Sequence, residues 1–179
     1  EAAMLRGAEV TLISGPTAIE PPMFVNVIPI ISAQEMFEKV ATNATENDII
    51  IKAAAVADYR PKEVCDEKIK KSDHDTEIEL ERTTDILAYL GKNKGKTFLC
   101  GFSMETENML ENSRRKLDKK NLDMIVANNL KDKGAGFGVD TNLITIITRD
   151  RELQLELMSK QDAANCILDE IIRKIGNRE

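Results

Sequence analysis

Residues 96–128 read KTFLCGFSMETENMLENSRRKLDKKNLDMIVAN. KTFLCGFS (96–103) is apolar and reads as a buried strand, and LDMIVAN (122–128) reads as another. Residues 105–120 between them form an amphipathic helix. A strand, a helix and a strand in this order make a parallel pair joined by a right-handed crossover. That unit sets the class of the fold, and the flanking sequence extends it.

Toward the N-terminus, DIIIKAAAVADYR opens at Asp48 and reads as a fully buried strand ending near Lys52. Ser32, with Glu35 three residues later, predicts a capping box for a helix whose apolar positions are Ala33, Met36, Phe37 and Val40. AEVTLIS (8–14) reads as a buried strand. VNVIPI (25–30), interrupted by proline, reads as a strand near a sheet edge. Glu1 to Leu5 are helix formers without an N-cap, followed by Gly7 as a C-terminal cap, so the sequence is expected to start inside a helix.

Residues 61–75, polar and aperiodic, read as a mobile surface loop, and TEIELE (76–81) as a half-exposed strand. Thr83 or Thr84 is expected to cap the helix DILAYLG, with Gly91 as its stop. NLITIITRD and ELQLEL pair as a hairpin across Arg149–Arg151, and Ser159 caps a last helix with apolar Ala163, Ile167, Ile171 and Ile175. The expectation is a single α/β domain over residues 1–179. Its Rossmann-like sheet is mostly parallel, with helices on both faces and a C-terminal β-hairpin.

Composition narrows the function. A net charge of −6 argues against general nucleic-acid or membrane-surface binding. No apolar run approaches the roughly 18 residues of a spanning helix. Cys65, Cys100 and Cys166 match no zinc spacing and read as free thiols of a reducing, cytoplasmic compartment. His74, the one histidine, lies in a polar run and reads as solvated.

In open α/β sheets ligands bind beyond the carboxyl ends of the strands. Four segments fall there: 14–23, 53–60, 101–105 and 128–140. AAAVADYRP offers close backbone approach and a carboxylate, Asp58, for ribose or metal; Asp58 as a local cap is the competing reading. EKIKK (67–71) puts lysines on a loop able to close over phosphates, although a solvated charge run is commoner. In RRKLDKK (114–120), Lys116 and Lys120 share a helix face and could grip a triphosphate. Basic residues there also stabilise the helix dipole, and Arg114, Arg115 and Lys119 need do no more. GAGFG (134–138) is neither a dinucleotide fingerprint nor a P-loop, which counts against a dehydrogenase.

Taken in order, KAAAVADYRP (52–61), EKIKK (67–71), TTDIL (83–87), GFSMET (101–106), KLDKKNLDMIVANN (116–129) and GAGFGVDTN (134–142), with GAEVTLISGPT (7–17), resemble the synthetase domain of bacterial-type phosphopantothenate–cysteine ligases. The resemblance runs over nearly the whole chain. It implies CTP-dependent ligation of L-cysteine to 4′-phosphopantothenate through an acyl-cytidylate, a step of coenzyme A biosynthesis, with Mg²⁺ as the divalent cation. By resemblance Lys68 is the catalytic lysine, and Lys116 and Lys120 bind the triphosphate. Lys52, Ala53 and Ala54 run along the nucleotide, Asp58 contacts CTP or its cation, and Glu81, Arg82, Thr83, Thr84 and Phe102 also contact CTP. A homodimer is implied, and the hairpin 142–157 is the expected contact.

Thr84 and Asn129 stand where the family has proline and aspartate. The family's first strand and its RxIxNxSSGKMG-type segment, linked to attack by cysteine, are not in this sequence. Nor is the flavin-dependent decarboxylase often fused upstream, so no FMN is expected in this domain. The alternative reading is a CTP-binding fragment that cannot complete catalysis without that segment.

Overall fold

The structure is a computed structural model that describes residues 1–65, 67–68, 77–105, 107–129 and 138–176, with only the backbone of Asn129. In chain order the elements are α1 (Ala2–Leu5), β1 (Thr11–Ser14), β2 (Asn26–Pro29), α2 (Ala33–Asn43), β3 (Ile49–Lys52), β4 (Tyr59–Pro61), β5 (Leu80–Arg82) and α3 (Ile86–Asn93). They continue with β6 (Phe98–Glu105), α4 (Met109–Lys119), β7 (Met124–Asn129), β8 (Thr141–Asn142), β9 (Ile144–Thr148), β10 (Glu152–Gln154), β11 (Met158–Ser159) and α5 (Lys160–Gly176).

The central sheet runs β10-β9-β7-β6-β3. β3, β6 and β7 are parallel, and β9 and β10 add antiparallel strands at one side. The stretch 96–128 therefore lies at the middle of the sheet, and its residues pay no attention to alternation because both faces are covered. Leu99, Cys100, Ile125, Val126 and Ala127 are all 0% exposed. On one face Leu99, Ile125 and Ile147 pack with Leu87 and Leu90 of α3 and Leu117 of α4. On the other, Phe98, Met124, Val126 and Ile146 pack with Ile167 and Ile171 of α5. Each fully buried aliphatic side chain of this kind contributes about 1.5–3 kcal/mol. The expected mostly parallel sheet with helices on both faces is the architecture observed.

Local signals explain several boundaries. The Ser32 hydroxyl accepts from Glu35 N, and the Glu35 carboxylate accepts from Ile31 N, closing the start of α2. Ser159 Oγ likewise accepts from Asp162 N at the start of α5. Gly7 holds φ +86 after α1, whose exit is tied to α5 by Arg6 on Asp169 and Asn165.

Other expectations are corrected. The N-cap of α3 is Asp85, whose Oδ1 accepts from Ala88 N at 3.0 Å; Thr83 is occupied with the Ala57 carbonyl instead. Gly91 does not end α3, which runs on to Asn93 before Gly95 takes φ +54. The helix expected over 105–120 begins only at Met109, after Asn108 at φ +48. Strand β5 starts at Leu80, later than the expected 76, and residue 76 lies outside the described residues. So do His74, most of the 61–75 loop beyond Cys65, and residues 134–137 of the glycine-rich segment.

β1 and β3 are not fully buried either. β1 pairs in parallel with β2, β3 pairs with β6, and among the described residues no ladder joins β1 to β3. A cleft of about 340 Å³ lies between them, lined by Leu12, Ile13, Ile50, Ile51, Met36 and Val40. Its walls leave Ile51 40% exposed. Among the described residues, no helix is long and apolar enough to cross a membrane.

Candidate active site

The register of the sheet assigns faces to the site residues. Lys52 at the end of β3 stands opposite Gly101 of β6. A Cβ at Gly101 would meet Leu87 and Leu122, so this is the α3/α4 face. Alternation along β6 then puts Ser103 and Glu105 on that same face and Phe102 on the other. Phe102 packs against the α5-side core. The aromatic expected beside the lysines therefore has its ring on the opposite side of the sheet from them.

Lys52, Lys116 and Lys120 converge on the α3/α4 face. Lys52 Nζ donates to the Ala54 carbonyl at 2.7 Å, holding the small-residue turn that follows β3. Lys120 Nζ lies 2.9 Å from Asp85 Oδ2 and 3.2 Å from Oδ1. Lys116 Nζ donates to Glu105 Oε1 at 2.6 Å and to Ser103 Oγ at 3.2 Å. Three ammonium groups on one face provide the charge that a polyphosphate requires. The two carboxylates hold two of them in place.

Electrostatics reflect the crowding. Burial, followed by the neighbouring Lys120 charge, lowers the Lys52 pKa, opposed by Asp85 and Asp58. Burial alone would raise Asp85, but the hydrogen bonds from Lys120 and Ala88 N outweigh it and hold the carboxyl below its ordinary value. Glu105 behaves the same way, with burial overcome by Lys116 and Ser103. Both carboxylates are thus held in their charged form at neutral pH.

The remaining expected residues lie on the turn after β3, on the β4–β5 pair and its following segment, and at Lys68. Ala53, Ala54 and Asp58 line the exposed turn after β3. Thr83 Oγ1 donates to the Ala57 carbonyl at 2.6 Å and Thr83 N to the Asp58 carbonyl at 3.0 Å, so the strand leading to α3 is stitched to that turn. Thr84 is exposed beside Asp85. Glu81 and Arg82 serve the β4–β5 hairpin: Glu81 pairs with Arg60 at 2.7 Å, and the Arg82 guanidinium lies 5.7 Å over the Tyr59 ring. Lys68 is exposed; Lys70 and Lys71 lie outside the described residues.

Asp85 and Glu105 were missed from the sequence. Asp85 had a signal, because aspartate outranks threonine as an N-cap. Glu105 had none, since its role depends on β6 and α4 packing together. Among the described residues no three histidine, cysteine or acidic side chains gather to hold a metal. Asp58 as a lone exposed carboxylate suits Mg²⁺, which typically takes one or two carboxylates together with substrate phosphates.

The profile of the family described as the DNA/pantothenate metabolism flavoprotein C-terminal domain matches residues 1–175. The coenzyme A biosynthesis bifunctional protein CoaBC of Bacillus subtilis strain 168 is 48% identical over 173 residues, covering 96% of this chain and 43% of that protein. A cysteine/cysteine sulfinic acid decarboxylase of an unidentified prokaryote is 47% identical over 178 residues, covering 98% of this chain and 48% of its own length. The crystal structure of the C-terminal domain of a CoaBC protein superposes with a TM-score of 0.82 at 44% identity, over 99% of this chain and 81% of that one. The chain thus spans less than half the length of these two curated relatives.

Proposed function

This chain belongs to the family of DNA/pantothenate metabolism flavoprotein C-terminal domains, and on that premise we propose that it ligates L-cysteine to 4′-phosphopantothenate with consumption of CTP. The observation that carries the reading is the convergence of Lys52, Lys116 and Lys120 at the carboxyl ends of β3 and β6. The similarity to CoaBC supports it. The decarboxylase name of the other relative belongs to a protein of which this chain matches 48%.

In the proposed reaction the pantothenate carboxylate attacks the α-phosphorus of CTP, and pyrophosphate leaves. The cysteine amine then attacks the acyl carbon, CMP leaves, and the amine loses its proton. Negative charge builds on the α-phosphate and the departing pyrophosphate in the first step. Lys116 and Lys120 are fixed by Glu105 and Asp85 before substrate arrives, so little reorganisation is needed when that charge develops. Lys68, in the exposed segment after β4, would add its charge to theirs in that step. Mg²⁺ held by Asp58 and the phosphates would shield the same charge. The small residues Ala53 and Ala54 let the nucleotide approach main-chain groups, which can choose cytosine without side chains. Phosphorylated substrates and free thiols at Cys65, Cys100 and Cys166 suit the cytoplasm.

Calorimetric titration with CTP and Mg²⁺, beside ATP, tests the nucleotide site. Selective binding of CTP is expected, and light scattering on the same sample should return twice the mass of one chain. Binding of neither nucleotide would sink the reading for this chain.

The cleft between β1 and β3 favours the second reading, a nucleotide-binding unit that needs one more strand to complete ligation. Two strand edges with no ladder partner among the described residues and an apolar lining suit an inserted β-strand. In a longer chain carrying the family's first strand, amides of β1 and β3 that face the cleft should exchange hydrogen more slowly. Equal exchange in both chains would mean that the strand goes elsewhere.

A further inference from the structure

The place of Gly91 inside α3 is explained by what rests on it. A Cβ built there would lie 1.8 Å from the Lys120 carbonyl oxygen, a distance no side chain could accommodate. The end of α4 therefore sits directly on the backbone of α3. The next residue, Asn121, holds φ +50 and donates from Nδ2 to the Gly91 carbonyl at 2.8 Å. That carbonyl is in the last turn of α3, where helical partners run out. Asn121 Oδ1 in turn accepts from Arg149 Nη2 at 3.0 Å, in the turn between β9 and β10. One side chain thus ties together α3, the end of α4 and the hairpin.

Lys120 lies between these ties. Its backbone is pressed on Gly91 near the C-terminal end of α3, and its ammonium is held by Asp85 at the N-terminal end of the same helix. We propose that Asn121, seated on Gly91, is a positioning residue that fixes the Lys120 ammonium beside Asp85 and so sets how tightly an anionic phosphate is held. The inference rests on the reading of Lys120 as a phosphate-binding residue.

Asn121→Gly is the test in the full chain, because glycine accepts φ +50 while both side-chain hydrogen bonds are lost. The nucleotide KM is expected to rise about tenfold with kcat within about twofold. The Asp85 carboxyl, followed by carbon-13 NMR, is expected to titrate nearer its ordinary value of about 4 as Lys120 loosens. Arg149→Ala should raise KM less, and its effect should not add to that of Asn121→Gly, since the two share one bond. A variant that melts earlier but keeps the wild-type KM and Asp85 titration would overturn the inference and leave Asn121 a structural residue. If the chain binds no nucleotide, the functional reading fails, and the Asp85 titration alone decides: a moved value supports positioning and an unmoved one refutes it.

Discussion

Lys68→Gln is expected to slow ligation by about 10²–10³-fold while the chain stays folded. Lys68 is exposed, so its replacement disturbs no core. Glutamine keeps most of the length and the polarity but removes the charge. The lost charge matters most when the α-phosphate and the leaving pyrophosphate carry extra negative charge. CTP affinity should fall far less, because Lys116 and Lys120 stay anchored on Glu105 and Asp85. Pyrophosphate release under single-turnover conditions measures the first step, and calorimetry measures the binding. A rate within about threefold of the parent would remove Lys68 from the mechanism, whatever the family resemblance implies.

Asp123→Ala should be strongly destabilising although it leaves the aliphatic core intact. Asp123 Oδ2 accepts from Lys94 Nζ at 2.7 Å and from the Leu99 backbone N at 2.8 Å. The two side chains are only 12% and 16% exposed. Removing one partner strands a shielded ammonium and a buried amide, at a cost of about 3–5 kcal/mol. For a chain of this size that corresponds to a melting temperature lower by roughly 6–20 °C. Asp123→Asn keeps an acceptor for Leu99 N and should lose less. Lys94→Met in the Asp123→Ala background should recover part of the loss, since no charge is then left unpaired. Scanning calorimetry distinguishes these outcomes, and a fall below about 2 °C for Asp123→Ala would mean that water replaces the carboxylate there.

Both variants act on residues whose setting differs in legibility. Lys68 stood out in EKIKK by resemblance, yet nothing local to the sequence says what it faces. Asp123 was read only as part of the buried strand LDMIVAN (122–128). Its partners, Lys94 and Leu99, are 29 and 24 residues away. Lys116 and Lys120 were legible as a pair from their spacing, but their anchors were not. Gly91 was read as a helix stop because glycine is common there; the carbonyl of Lys120 pressing on it is the actual reason for glycine.

By itself the sequence determined the class of the fold, the β6-α4-β7 unit, the capping box at Ser32, the N-cap at Ser159 and the C-terminal hairpin. These depend on contacts within a few residues or on the periodicity of burial, which a linear pattern records. Only the tertiary structure decided which face each lysine occupies, that Phe102 points away from them, that Asp85 and Glu105 hold them, and that β1 and β3 flank an open cleft. Those features depend on side chains from elements remote in sequence meeting across a twisted sheet. A single residue type at a single position carries no record of the partner that packing brings to it.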